Sequence, residues 1–134
     1  MDDADIRPRI GPVQVGIILL ALATAGIHLY YFIIEGFLGS GAMGPSFQVL
    51  FVGIFLAYLL LVSTLYFPDP SLARFRPFTR AMLIGLAVAS IASYFYVGVF
   101  DLGGNIDKAI EALLIVLLLA EASISRFGVQ HAGR

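Results

Sequence analysis

Residues 13–34 read VQVGIILLALATAGIHLYYFII, 22 positions without a formal charge. A helix needs about 20 apolar residues to cross the hydrocarbon core of a bilayer, and this run meets that length. Two further runs meet it as cleanly. Phe47 to Phe67 and Ala81 to Phe100 are uncharged throughout. A fourth, Ile106 to Ile124, contains Asp107, Lys108, Glu111 and Glu121, and its uncharged centre is only Ala112 to Ala120. Its 19 residues reach about 28 Å at 1.5 Å per residue, barely a crossing.

Composition agrees with these runs. Of the 134 residues 60% are hydrophobic and 13% are charged, against about 25% charged in soluble domains. A water-soluble fold of this size could not hide so much apolar surface. The reading is therefore an all-α, four-transmembrane-helix bundle, forming one membrane domain over residues 1–134. The expected helices are approximately 13–35, 47–67, 79–100 and 106–125. Ala21-Leu22-Ala23 has the look of a leader cleavage site. But apolar residues continue to Ile34 and the chain opens on Asp2, Asp3 and Asp5, so the run reads as a retained helix.

The connectors are breaks. Residues 36–45 are glycine-rich, and Pro68-Asp69-Pro70-Ser71 ends the second helix because proline lacks the amide donor. Asp101-Leu102-Gly103-Gly104-Asn105 reads as a turn, with Asn105 as N-cap of the fourth helix and Asp107 near its positive end.

Positive residues favour the cytoplasmic side of a membrane. With four crossings all seven arginines (Arg7, Arg9, Arg74, Arg76, Arg80, Arg126 and Arg134) fall on one side, and Lys108 is on the other. The expected topology is up-down-up-down with both termini cytoplasmic, in the cell (plasma) membrane.

Helices in lipid associate by close packing and polar contacts. Gly85, Ala89 and Ser93, Gly53 and Ala57, and Ala21 and Ala25 with Thr24 are the expected contact stripes. Thr24, Ala25, His28, Phe32 and Glu35 recur at helical spacing, so this face should turn inward.

Ionisable groups in a membrane are expensive and need partners or a cavity. By depth, Glu35 lies at the outer boundary, His28 about 10 Å deeper, and Glu111 at a similar depth on the fourth helix. The expected pairs are His28 with Glu111, and Lys108 with Glu35 or Glu111. Tyr30, Tyr31, Tyr94 and Tyr96 lie in the same outer half. His28, Glu35, Lys108, Glu111, Tyr30 and Tyr94 are thus the candidates for a polar pocket. Arg80 with Glu121 is the expected inner ion pair. The bland alternative is that these groups only orient helices.

Other chemistries lack their residues. The chain has no cysteine, which excludes disulfides and thiolate metal sites. His28 is the sole histidine in a span and His131 lies in the tail, so a bis-histidine haem within this chain is not expected. No metal site, nucleophile constellation or phosphate-binding loop is legible. The near-neutral charge argues against a nucleic-acid partner. The cofactor is unknown from sequence.

Two segments carry a resemblance: Gly26-Ile27-His28-Leu29-Tyr30, and Ile106-Asp107-Lys108-Ala109-Ile110-Glu111-Ala112-Leu113. Between them come an aliphatic helix, a basic loop and a helix ending in Tyr94-Phe95-Tyr96. Over about residues 13 to 125 the chain resembles a group of small four-helix integral membrane proteins of prokaryotes. The resemblance implies the same fold and points to His28, Lys108 and Glu111 as shared polar positions. It supplies no activity. The span count is also similar to that of small multidrug transporters, but those have an essential glutamate in the middle of helix one, whereas Glu35 stands at its end.

The leading expectation is a non-enzymatic membrane protein, an accessory or structural subunit whose partners are the lipid bilayer, other membrane subunits or itself. The alternatives are a small transporter or ligand-binding protein using the outer pocket, and a pigment- or haem-binding subunit through His28.

Overall fold

The computed structural model describes residues 10–39 and 43–132, with side chains through Phe127. The acidic N-terminal tail, Arg7, Arg9 and Arg134, the middle of the glycine-rich connector and the side chain of His131 lie outside the described residues. The described residues contain helices and no strand.

α1 (Pro12–Tyr31) opens with proline at its first position, where the missing amide hydrogen costs nothing. Gln14 Oε1 accepts the Gly11 N–H at 2.9 Å. The helix continues as a seven-residue π-helical segment, Phe32–Leu38. Gln48 ties this segment down by donating to the carbonyls of Gly36 at 3.2 Å and Met43 at 3.0 Å. α2 spans Pro45–Tyr66 and stops before Pro68. The connector then forms a single turn, α3 (Pro70–Ala73). Asp69 caps it, accepting the Ser71 N–H at 2.7 Å. These bonds hold the exposed Asp69 carboxyl below its ordinary range, because they favour the ionised form. α4 (Arg76–Val97) ends on Gly98, at φ 72° the left-handed cap that glycine adopts without strain.

α5 (Leu102–Ala132) departs from expectation at its start. It begins at Leu102, so Asn105 lies inside it rather than capping it. The cap is Asp101, whose Oδ1 accepts the Gly104 N–H at 3.2 Å. Gly103 and Gly104 are not turn glycines but points of close approach. A Cβ on Gly104 would stand 2.6 Å from the Tyr94 ring, and one on Gly103 would collide with the Tyr31 hydroxyl.

α1 packs beside α2 and α5, and α4 packs beside the same two helices. Ile17, Ala21, Ala25, Tyr58, Val62, Leu65, Leu83, Leu114 and Leu118 form the shared core. Side-chain bonds give the directions. Gln14 meets Glu121 and Thr24 meets Asp107, so α1 runs against α5. Ser90 meets Lys108 and Arg80 meets Glu121, so α4 does too. Tyr58 meets Glu111 and Tyr66 meets Glu121, so α2 runs along α5.

Among the described residues three helical stretches are long and apolar enough to cross a membrane: Pro12–Leu38, Pro45–Tyr66 and Arg76–Val97. α5 is longer, but Asp107, Lys108, Glu111 and Glu121 interrupt its apolar sequence. Those groups are turned inward, whereas Leu113, Val116, Leu119 and Ile124 face out. The whole assembly follows this rule. Thr24, His28, Ser90, Asp107, Glu111 and Glu121 are buried, and Leu19, Leu56, Leu60 and Val88 are exposed. Apolar outside and polar inside is the arrangement lipid favours and water penalises.

The small-residue stripes divide. Ala21, Thr24 and Ala25 are buried contacts, as their spacing predicts. Gly53, Gly85 and Ala89 instead face outward, Ser93 is exposed on the α4 wall of a cavity, and a Cβ on Gly53 or Gly85 would touch nothing within 4 Å.

Candidate functional site

α1 places Thr24 and His28 one turn apart on its buried face. α5 brings Asp107, Lys108 and Glu111 opposite them, and α2 and α4 add Tyr58 and Ser90. The groups close into one network. Thr24 Oγ1 donates to Asp107 Oδ1 at 2.6 Å. Tyr58 donates to Glu111 Oε1 at 2.8 Å. Lys108 Nζ donates to Ser90 Oγ at 2.6 Å, Glu111 Oε2 at 2.7 Å and Asp107 Oδ2 at 2.9 Å. Glu111 is 0% exposed, Asp107 3% and His28 4%. A carboxylate so buried is tolerable only with full compensation, since its desolvation costs several kcal/mol.

His28 is fixed by two neighbours. Its Nδ1 lies 2.9 Å from the Thr24 carbonyl oxygen and 3.7 Å from Asp107 Oδ2. A carbonyl only accepts, so Nδ1 carries the hydrogen. In the neutral ring Nε2 is then an acceptor, and it has no hydrogen-bond partner among the described residues. Phe51 flanks the ring, with centroids 5.4 Å apart.

Beside this network, at the end where α1 and α4 finish and α2 and α5 begin, lies a cavity of about 330 Å³. Its deeper lining includes His28, Ser90, Asp107 and Lys108, and its walls are mainly Phe47, Leu50, Phe51, Ile54 and Val97. Glu35, Tyr31, Tyr94 and Asp101 also line it. Tyr31 donates to the Asp101 carboxylate, and Tyr94 donates to Asn105 Oδ1 at 3.0 Å. The cavity stops short of Glu111.

The expected residues are only partly joined. His28 has Asp107, not Glu111, as its carboxylate neighbour, because Asp107 lies a turn nearer the end of α5 and faces α1. Lys108 does meet Glu111, while Glu35 bonds to neither. The wider π-helical turn carries Glu35 out of phase with Thr24 and His28, leaving it exposed at the cavity. Tyr30 is exposed and packs edge-on against Tyr31, and Tyr96 is exposed as well. Arg80 and Glu121 meet as predicted, with Nε 3.4 Å from Oε2. Tyr66 and Gln14 join them at 3.2 and 3.3 Å.

Sequence reasoning missed Asp107, Tyr58 and Ser90 as members of the network. One signal was available. Asp107, Glu111, Leu114, Leu118 and Glu121 recur at alternating four- and three-residue spacing, which puts the acids on the core face of α5.

His28, Asp107 and Glu111 bring possible metal-ligand atoms within 4.8 Å of one another. A cation already serves the two acids: Lys108 contacts both carboxylates. The trio is therefore a lysine site rather than an open metal site. Comparison with family models, with curated protein sequences and with solved structures returns no match.

Proposed function

We propose that this chain is a multi-pass plasma-membrane protein of four crossings, up-down-up-down with both ends cytoplasmic, and that its outer end binds a small amphipathic molecule. The observation that carries the reading is the one-sided cavity, with apolar walls and a polar inner end on His28, Ser90 and Lys108. A volume near 330 Å³ lies at the small end of the range for ligand pockets. Binding suits the geometry better than transport, because Glu111 is covered by Tyr58, Thr24 and Lys108 and does not line this cavity. We assign the site no covalent chemistry.

Purification from native membranes, followed by mass spectrometry of co-purifying small molecules, tests the reading. A stoichiometric ligand lost in Ser93→Phe, which fills the α4 wall, is the expected result. Retention of the same ligand by that variant refutes the assignment to this cavity. Visible absorbance of the same preparation tests the pigment or haem reading through His28. Because the chain has no cysteine, single cysteines at Ser71 and Val99 test the topology. Labelling of Ser71→Cys from the cytoplasm and of Val99→Cys from outside is expected.

One observation favours a second reading, an accessory subunit held to other membrane helices. Gly53 and Gly85 leave open, outward-facing notches on α2 and α4.

A further inference from the structure

The hydrogen-bonding groups of the cavity are unevenly divided, and the imbalance specifies a ligand. The lysine and tyrosine donors are already engaged. All three hydrogens of the Lys108 ammonium have acceptors, at 2.6, 2.7 and 2.9 Å. The hydroxyls of Tyr31 and Tyr94 donate to Asp101 and Asn105. The acceptors are not exhausted. His28 Nε2 is held toward acceptance by the Nδ1–H bond to the Thr24 carbonyl. The Glu35 carboxylate forms no hydrogen bond or ion pair among the described residues. Three carboxylates line the space, Glu35, Asp101 and Asp107, against the single ammonium of Lys108.

An anion entering here meets excess negative charge, with only the hydroxyls of Ser90 and Ser93 left to donate. A neutral apolar molecule leaves the His28 Nε2 acceptor unpaired. A group bringing both hydrogens and positive charge satisfies both, and aromatic walls add attraction between a cation and ring faces. We propose that the cavity binds a lipophilic amine in its protonated form, its ammonium donating to His28 Nε2 while the Glu35 carboxylate at the exposed end of the cavity adds favourable charge, with its apolar body against Phe47 and Phe51. This inference rests on the reading of the cavity as a ligand site and narrows it to one chemical class.

The test uses the full chain in phosphatidylcholine nanodiscs, titrated calorimetrically with three matched probes: phenylbutylamine, phenylbutyrate and butylbenzene. Empty nanodiscs correct for partitioning into lipid. The amine is expected to bind about tenfold or more tightly than either other probe, the size of one charge-assisted hydrogen bond. Glu35→Gln, at an exposed position outside the packed core, is expected to weaken the amine several-fold and leave butylbenzene unchanged. His28→Phe should abolish the preference for the amine, provided its helical circular dichroism and unfolding midpoint match the parent. Equal binding of amine and butylbenzene, tighter binding of phenylbutyrate, or an amine affinity indifferent to Glu35→Gln overturns the amine assignment while leaving a ligand cavity standing. No binding of any probe above the empty discs overturns both.

Discussion

Thr24 and Asp107 are separated by 83 positions in the chain, yet the threonine hydroxyl donates to the carboxylate at 2.6 Å. Asp107 in turn receives Lys108 at 2.9 Å and lies 3.7 Å from the His28 ring. This one bond fastens α1 to α5 at the inner edge of the cavity.

Thr24→Val keeps the shape and removes the donor. With one oxygen of a buried carboxylate left short of a partner, stability should fall by about 1–3 kcal/mol. Thr24→Ser should restore most of it. Reversible unfolding in mixed micelles measures both, and a Thr24→Val protein as stable as the parent would contradict the role given to this bond.

Lys108→Met leaves Asp107 and Glu111 facing each other without their cation. Breaking a buried ion pair from one side costs about 3–5 kcal/mol. Removing one of the two charges as well, in Lys108→Met with Glu111→Gln, should recover part of that loss. A double-mutant cycle reads the coupling, and strictly additive losses would mean that the two residues do not interact energetically.

Alanine at Gly103 or Gly104 should destabilise the cavity end of the bundle, since each new methyl meets a tyrosine on a neighbouring helix. Alanine at Gly53 or Gly85 meets nothing and should stabilise the isolated chain by up to about 1 kcal/mol through helix propensity. The comparison separates the two kinds of glycine in one set of melting curves. If the chain works as an accessory subunit, the second pair should lose its partner while gaining stability.

Asp69 gives a pH dependence with a definite sign. Its carboxyl is depressed from an ordinary value of 3.8 by the bonds from Ser71. A depressed acid contributes its stabilisation above the ordinary value and loses it as pH falls through the lower, folded value. The Ser71 amide resonance should therefore titrate with a midpoint below 3.8. In Asp69→Asn that step should vanish. A midpoint at or above the ordinary value would show that the cap does not form.

Much of the architecture was legible because the membrane constraint is written along the chain. The uncharged runs around Ile17, Tyr58 and Leu83 marked three helices by length alone. Pro68 marked the end of the second, whereas the third reads on to residue 100 and in fact stops at Gly98. Arg80 and Glu121 could be paired by depth, since Glu121 is the one acid within a span near the inner end and Arg80 opens the third helix close to its level. α5 was harder. Its charges shortened the apparent span, and Asp101 as the cap could not be told from Asn105, because both are good N-cap types at adjacent turns.

The sequence by itself determined helicity, the approximate spans and the rarity of polar groups within them, because hydrophobic length and proline placement act locally. Only the tertiary structure decided who pairs with whom. Asp107 rather than Glu111 pairs with His28 because the axial offset of α5 against α1 brings it level with the ring, although both acids share one buried face. Glu35 leaves the inner face because Phe32–Leu38 winds as a π-helix, held by Gln48 from the next helix. Gly85 faces outward although its spacing fits a contact stripe equally well. Each of these depends on the angle of one helix about its axis or its offset along a neighbour, quantities fixed by neighbours on all sides at once.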